Sequence, residues 1–269
     1  MLNNYDLDLE QILVVSDIHG MYTQLKNLLE AVASDIPILF LGDYLDRGSD
    51  SKKVLDLIRS TVENDKGIAI KGNHEQMCLD ALNDSHTGDL SVFESYLLRG
   101  GDTTVKSFTG LKYNKYKKNK KEHLIELHKE FKKVMVENGY VDFLESLPYF
   151  ITMGELLFIH AGVDAKTKGL EDIKEEEALW VREEFYANPH SLDYKIVFGH
   201  SVVNNLPQFK EENCLWISNN KIGIDGGSCF GGFLNGCLFN SKENTIKVLS
   251  AFTDTNARKV VKERNLIKL

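Results

Sequence analysis

The chain has 269 residues, 42% of them hydrophobic, and a formal net charge of −8. That length buries a sizeable core and excludes a disordered chain. The acidic balance argues against a nucleic-acid binder, which needs surplus Lys and Arg, and no apolar run approaches the roughly 20 residues of a membrane span.

The first ten residues, "MLNNYDLDLE", lack the basic start and apolar core of a signal peptide, so export is not expected. Apolar runs rich in Val, Ile and Leu follow at 11–16, 36–41, 67–70, 156–160 and 195–198. They are short and nearly continuous, as strands buried on both faces read. Between the first two, Met21, Leu25, Leu28, Leu29 and Val32 recur at helical spacing. Between the next two, Val54, Leu55, Leu57, Ile58 and Val62 do the same, predicting amphipathic helices packed on a sheet.

Residues 84–150 are polar and helical and interrupt this alternation, which predicts a helical cap inserted into a single domain spanning 1–269. Within it, residues 112–133 carry nine Lys against three Glu. Leu124, Leu127, Phe131 and Val134 mark one buried face there, so the lysines read as its solvated side. His123 and His128 are five apart and do not share a face as a metal-binding pair would. The acidic run Glu171 to Glu177 reads as a solvated helix start.

Beyond residue 215, "IGIDGG", "GGFLNGCLFN" and "TIKVLSAF" predict consecutive strands of a hairpin or meander. The glycine-rich stretch Ile224 to Gly236 lacks the lysine of a phosphate-cradling GxxxxGK[ST] loop and reads as tight turns between packed strands. Four cysteines, Cys78, Cys214, Cys229 and Cys237, form no CxxC pair. Reduced structural thiols in a cytoplasmic protein are expected.

Each of the five apolar runs ends in an Asp, Asn or His beside a glycine: "SDIHG" (16–20), "GDYLDRG" (42–48), "GNHE" (72–75), "HAG" (160–162) and "GHS" (199–201). Ligands bind outside the carboxyl ends of strands in α/β sheets, so these loops should meet in one crevice. Four of the eight histidines, His19, His74, His160 and His200, lie in them. Asp17 and His19 stand two apart on what reads as an extended strand end, so both can reach one ion. Imidazoles, carboxylates and an amide without a thiolate suit Mn²⁺, Fe, Zn²⁺ or Co²⁺. The ligands are too many for one open site; two ions sharing a carboxylate would use them, which predicts a hydrolytic centre. A bridging ligand must be an oxyanion, as Asp43 is, and Asn73 can serve only through its carbonyl oxygen. His74 follows Asn73 directly, so its side chain is expected to point elsewhere, toward a leaving group.

These five motifs, in this order across residues 16 to 201, resemble those of the phosphoprotein phosphatase family within the calcineurin-like metallophosphoesterases. Ser16 stands where that family's first motif begins with glycine, a change that removes no ligand. The resemblance implies an α/β fold, a sandwich of two mixed β-sheets flanked by α-helices. It implies that Asp17 and His19 bind a first metal, that Asp43 bridges, and that Asn73, His160 and His200 bind a second. It pairs His74, as general acid, with Asp46, and assigns Arg47 to the phosphate. Arg182, in "EALWVREEF", stands where the family supplies a second phosphate contact; a salt bridge to Glu183 or Glu184 is the structural alternative. Asp225 falls in a segment that lines the site in bacterial members.

The implied reaction is direct attack of metal-bound hydroxide on a phosphomonoester, with two divalent ions, Mn²⁺ first. Phosphoserine or phosphothreonine on a protein is the expected substrate, and a small phosphoester or nucleotide, diadenosine tetraphosphate above all, is the alternative. "GDYLDRG" and "GNHE" retain the Asp46 and His74 pair and favour the former, because a serine alkoxide leaves poorly without a proton.

Overall fold

The computed structural model describes residues 7–83, 90–210, 214–252, 261–263 and 266–268. Most of the N-terminal stretch and the start of the predicted insertion at 84 lie outside the described residues. The chain opens with strand β1 (Gln11–Val15), helix α1 (Tyr22–Leu29), β2 (Ile38–Phe40), α2 (Ser51–Glu63), β3 (Gly67–Ala69) and α3 (Asn73–Asn83). The strand-turn-helix alternation is therefore as the periodicity predicts. Strands β1, β2 and β3 are parallel neighbours, so their three carboxyl ends lie side by side.

Four helices follow: α4 (Ser91–Tyr96), α5 (Asp102–Thr109), α6 (Lys120–Glu137) and α7 (Tyr140–Ser146). A wide turn at Leu97–Gly101 joins the first two, with Gly100 at φ 109°. Phe93, Val105, Leu127, Phe131 and Leu144 from this segment share one apolar layer with Leu25 of α1 and Val54 and Ile58 of α2. In α6, Leu124, Leu127 and Phe131 are buried while Lys121, Lys129 and Lys133 are exposed, the partition expected from the pattern.

The second half begins with β4 (Phe150–Met153), β5 (Leu156–Ile159), α8 (Glu175–Trp180), α9 (Glu183–Tyr186) and β6 (Lys195–Phe198). It ends with β7 (Trp216–Ser218), β8 (Lys221–Gly223), β9 (Phe233–Asn240), β10 (Thr245–Phe252), β11 (Val261–Glu263) and β12 (Ile267–Lys268). The meander expected after residue 215 is present, and β9 pairs with both β10 and β1. Strand β4, hairpinned to β5 across Gly154, was not expected, because "FITMGELLFI" reads as one apolar run with no strong turn pair.

Two mixed sheets result, β11-β10-β9-β1-β2-β3 with β12 on β10, and β4-β5-β6-β8-β7. Ile12 and Val14 of β1 face Phe158 of β5, Val197 of β6 and Ile222 of β8 across the inter-sheet core. Leu13 and Val15 point the other way, into the helical layer. Both faces of β1 are thus buried, at about 1.5–3 kcal/mol for each large aliphatic side chain, which is why its sequence does not alternate. The order of layers is helices, sheet, sheet, helices, the sandwich that the motifs imply. No helix among the described residues is long and apolar enough to cross a membrane.

Candidate metal centre

The strand ends do not simply continue as extended chain. Asp17, His19, Asp43, Asp46, Arg47 and His200 all have positive φ, between 45° and 72°. The left-handed region costs a non-glycine residue free energy and persists where surrounding structure holds it. Asp17 and His19 therefore reach the crevice from two left-handed turns around Ile18, rather than by the alternation of an extended strand. Backbone bonds secure these turns: Asp17 N–H donates to Gly42 O at 3.1 Å and His19 N–H to Asp43 O at 2.9 Å. The loops after β1 and β2 are zipped together. Gly199 N–H donates to His160 O at 2.9 Å and ties the two loops of the smaller sheet in the same way.

Two side-chain clusters share Asp43. One holds His19, Asp43 and His74, the other Asp43, His160 and His200, with donor atoms within 4.8 Å of one another in each. Asp43 Oδ2 lies 3.4 Å from His19 Nε2, and Oδ1 lies 3.3 Å from His160 Nε2. Asn73 Oδ1 joins the second cluster at 3.0 Å from both His160 Nε2 and His200 Nδ1. Asp17 stands outside both clusters. Its carboxylate accepts from Ser16 Oγ at 2.5 Å and from the His200 N–H at 3.0 Å.

The donor set fits divalent cations. His19 Nδ1 is 2.7 Å from Leu45 O and His160 Nδ1 is 2.9 Å from Leu41 O. A carbonyl only accepts, so each Nδ1 carries the hydrogen and each Nε2 turns a lone pair inward. Around His160, that lone pair meets those of Asn73 Oδ1 and Asp43 Oδ1. Electron pairs facing one another need a cation between them. His200 joins the same group through Nδ1, the ring nitrogen that faces Asn73 Oδ1 at 3.0 Å.

Protonation follows the same logic. Burial pushes Asp17 up, with repulsion from Asp43 adding to it and His160 opposing. Burial also pushes Asp225 well up, beside Asp17. It lowers His19 to about 3 and His200 well below the ordinary imidazole value. Burial would raise Asp43 too, but His160, His74 and His19 hold its carboxyl well below the usual range. A neutral imidazole at His19 and at His200 and an ionised Asp43 are the states in which such groups coordinate metal.

His74 has another partner. Its Nδ1 lies 2.7 Å from Asp46 Oδ2, and its ring stands edge-on to His19 with centroids 4.7 Å apart. Its Nε2 is 4.0 Å from Asp43 Oδ2, so the ring lies within the first cluster instead of turning away from it. Burial would lower its pKa, yet Asp43 and Asp46 together raise it. Asp46 is itself held, since Tyr96 OH and Thr104 Oγ1 each donate to Oδ1 at 2.7 Å.

Arg47 is folded onto the site, with Nη1 at 2.6 Å from His19 Nε2 and its guanidinium 5.0 Å from the Phe230 ring. Arg182 lies by the second cluster, donating to His200 O at 2.6 Å and Ser201 Oγ at 3.3 Å. Its contacts are with the ligand loop and not with Glu183 or Glu184. His123 and His128 are remote from both clusters, bonded to Lys112 O and Ala81 O.

The calcineurin-like phosphoesterase family model matches residues 11–230. The chain belongs to this family. It is accordingly a hydrolase of phosphoester bonds. A bis(5′-nucleosyl)-tetraphosphatase (asymmetrical), PrpE, of Anoxybacillus flavithermus is 25% identical over 264 residues, 88% of this chain and 93% of that one. Serine/threonine-protein phosphatase 1 of Salmonella typhimurium is 37% identical over 92 residues, 33% of this chain and 38% of its own. Among solved structures, a cold-active protein-tyrosine phosphatase of a Shewanella species shares the fold at a TM-score of 0.54 and 17% identity, over 98% of this chain and 83% of that one.

Several residues that build this phosphoesterase's site escape motif reading. Glu75 spreads its carboxylate over backbone donors: Oε2 accepts from Asp43 N–H at 2.8 Å and Gly72 N–H at 3.0 Å, and Oε1 from Tyr44 N–H at 2.8 Å. Gly72 is needed for close approach, since a Cβ there would lie 2.4 Å from Asp43 N. Ser228 Oγ donates to Asp17 O at 2.9 Å and brings the loop after β8 onto the first motif. Asp225, buried in that loop, accepts from Gly227 N–H at 2.8 Å. The glutamate of "GNHE" was visible, but nothing in the sequence told what it holds; Tyr96 and Thr104 had no motif at all.

Proposed function

We propose that this phosphoesterase works at a two-metal centre, with His19 and Asp43 holding one divalent ion, Asp17 turning in to it from its bond to the His200 N–H, and Asp43, Asn73, His160 and His200 holding the other. The observation that carries the reading is Asp43, whose two oxygens face one cluster each. Oxygen and imidazole donors suit Mn²⁺ first, then Fe, Zn²⁺ or Co²⁺. When bound, such ions supply Lewis acidity and an activated water.

The chain's own residues do the rest. Arg47 swings from His19 to phosphoryl oxygens, and Arg182 meets them from the other cluster through its planar fork. His74 gives the departing oxygen its proton from Nε2 while Asp46 holds Nδ1–H and favours the imidazolium. The helices between α3 and β4 form an insertion within one catalytic domain, and through Tyr96 and Thr104 they brace Asp46. Four cysteines that form no disulfide with one another fit a reducing cytoplasm.

For the substrate we infer a nucleoside polyphosphate. The support is that relatives aligned over nearly their whole length carry the tetraphosphatase name, whereas the protein phosphatase match spans a third of this chain. Phosphoserine or phosphothreonine on protein is the second reading, supported by the His74 and Asp46 contact, which serves a poor leaving group best. Metal-stripped protein reloaded with Mn²⁺ and assayed on diadenosine tetraphosphate, a phosphopeptide and p-nitrophenyl phosphate separates them. Preference for the phosphopeptide would reverse the order, and no hydrolysis of any of the three would overturn the reading.

A further inference from the structure

Beside the first cluster the surface carries a cleft of about 370 Å³ that none of the catalytic roles uses. One wall is Val202, Asn204 and Asn205, which follow directly on the ligand His200; the other is Gly226, Gly227 and Phe230, which follow on Asp225. The Asn204 and Asn205 side chains are exposed. Phe230 is 67% exposed, high for a phenylalanine, while its ring meets the Arg47 guanidinium at 5.0 Å. A single exposed aromatic needs no explanation by itself. This one is anchored to the arginine that reaches for phosphate, at the rim of a cleft whose opposite wall offers two amides.

We propose that this cleft is a nucleobase subsite, in which the base of a nucleotide stacks on Phe230 and presents its edge to Asn204 and Asn205, with its phosphate on Arg47. The assignment rests on the phosphoester reading above and deepens it. An aromatic face accepts any base, because every base has a π surface. The paired amides distinguish a base from other planar groups: each carries both a donor and an acceptor, which match the mixed edge of a purine or pyrimidine, whereas a phosphotyrosine ring has no such edge. The volume lies at the lower end of small-ligand pockets, suited to a nucleoside. Gly227 keeps that wall free of a side chain, whose Cβ would lie 3.1 Å from Val202 Cγ1 opposite.

The test compares adenosine 5′-monophosphate with ribose 5-phosphate, which differ only by the base, in calorimetric titrations of the Mn²⁺-loaded protein. Wild type should bind the nucleotide about tenfold tighter, the lower part of the range that base stacking on an aromatic supplies. Phe230→Ala should bring that ratio to about one, Phe230→Trp should restore it, and Asn205→Ala should reduce it. A ratio near one in wild type, or a tenfold ratio surviving in Phe230→Ala, would overturn the subsite. Hydrolysis of p-nitrophenyl phosphate is followed in parallel. Its absence, with the binding ratio intact, would sink the reaction proposed above and leave the subsite standing.

Discussion

His74 and Asp46 meet at 2.7 Å in a space that excludes water, with Asp46 fully buried and His74 nearly so. Two hydroxyls, from Tyr96 and Thr104, occupy the other oxygen of Asp46. A charged or strongly polarised pair is tolerated there because both oxygens of the carboxylate accept hydrogen bonds. The arrangement sets the His74 ring, held by Asp46, within the same cluster as His19 and Asp43.

If His74 protonates the leaving group, its loss must depend on how badly that group needs a proton. His74→Asn should lower turnover of an alkyl phosphate by about 10²–10⁴ and that of p-nitrophenyl phosphate much less, with metal content unchanged. Parallel kinetics on the two esters, with metal analysis, check this. An equal drop on both esters would remove the proton-donor role.

Tyr96→Phe keeps the ring, which stacks on Phe131 with centroids 6.4 Å apart, and deletes the hydroxyl that donates to Asp46 and also meets the buried Cys78 thiol. A hydrogen bond to a charged group contributes about 1.5 kcal/mol or more, so kcat on an alkyl phosphate should fall by about tenfold. Bound metal should stay at the wild-type amount. Unchanged kcat would mean that Asp46 is held by Thr104 alone.

Much of this site was legible before any coordinate. The five short Val, Ile and Leu runs read as buried strands because both of their faces are in fact covered, and each ligand loop announced itself by an Asp, Asn or His beside glycine. Asn73, His74 and Glu75 show where that legibility ends. As the first turn of α3 they fan out at about 100° per residue, one to the second cluster, one to Asp46, one back to the Asp43 loop. The motif and its family resemblance give Asn73 its cluster and His74 its Asp46 partner, but not what Glu75 holds. Tyr96 and Thr104 lie 50 and 58 residues from Asp46 and arrive by packing of the inserted helices. Local pattern carries no trace of a contact made at that separation. The left-handed turns at Asp17 and His19 were hidden for a related reason, since they are imposed by the neighbouring Asp43 loop.

Away from the site, Lys221 on β8 is fully buried, its Nζ donating to Phe185 O at 2.5 Å and to Asn188 O. Burial lowers its pKa from the ordinary 10.5 to about 8. Below about pH 8 folded and unfolded chains both hold the proton, and the fold bears the cost of burying it. Between about 8 and 10.5 the folded chain releases the proton while the unfolded chain keeps it, so stability rises with pH. Urea unfolding at the two ends of that window should show wild type gaining on Lys221→Met as pH rises. A constant difference between the two proteins would contradict a buried, readily deprotonated amine.

Diffraction from crystals of Mn²⁺-loaded protein decides whether Asp43 joins two ions. Anomalous difference density should show two peaks roughly 3.5–4 Å apart, one on each side of the Asp43 carboxylate, the first beside His19 and the second among Asn73, His160 and His200. A single peak, or two peaks that Asp43 does not bridge, would contradict the account.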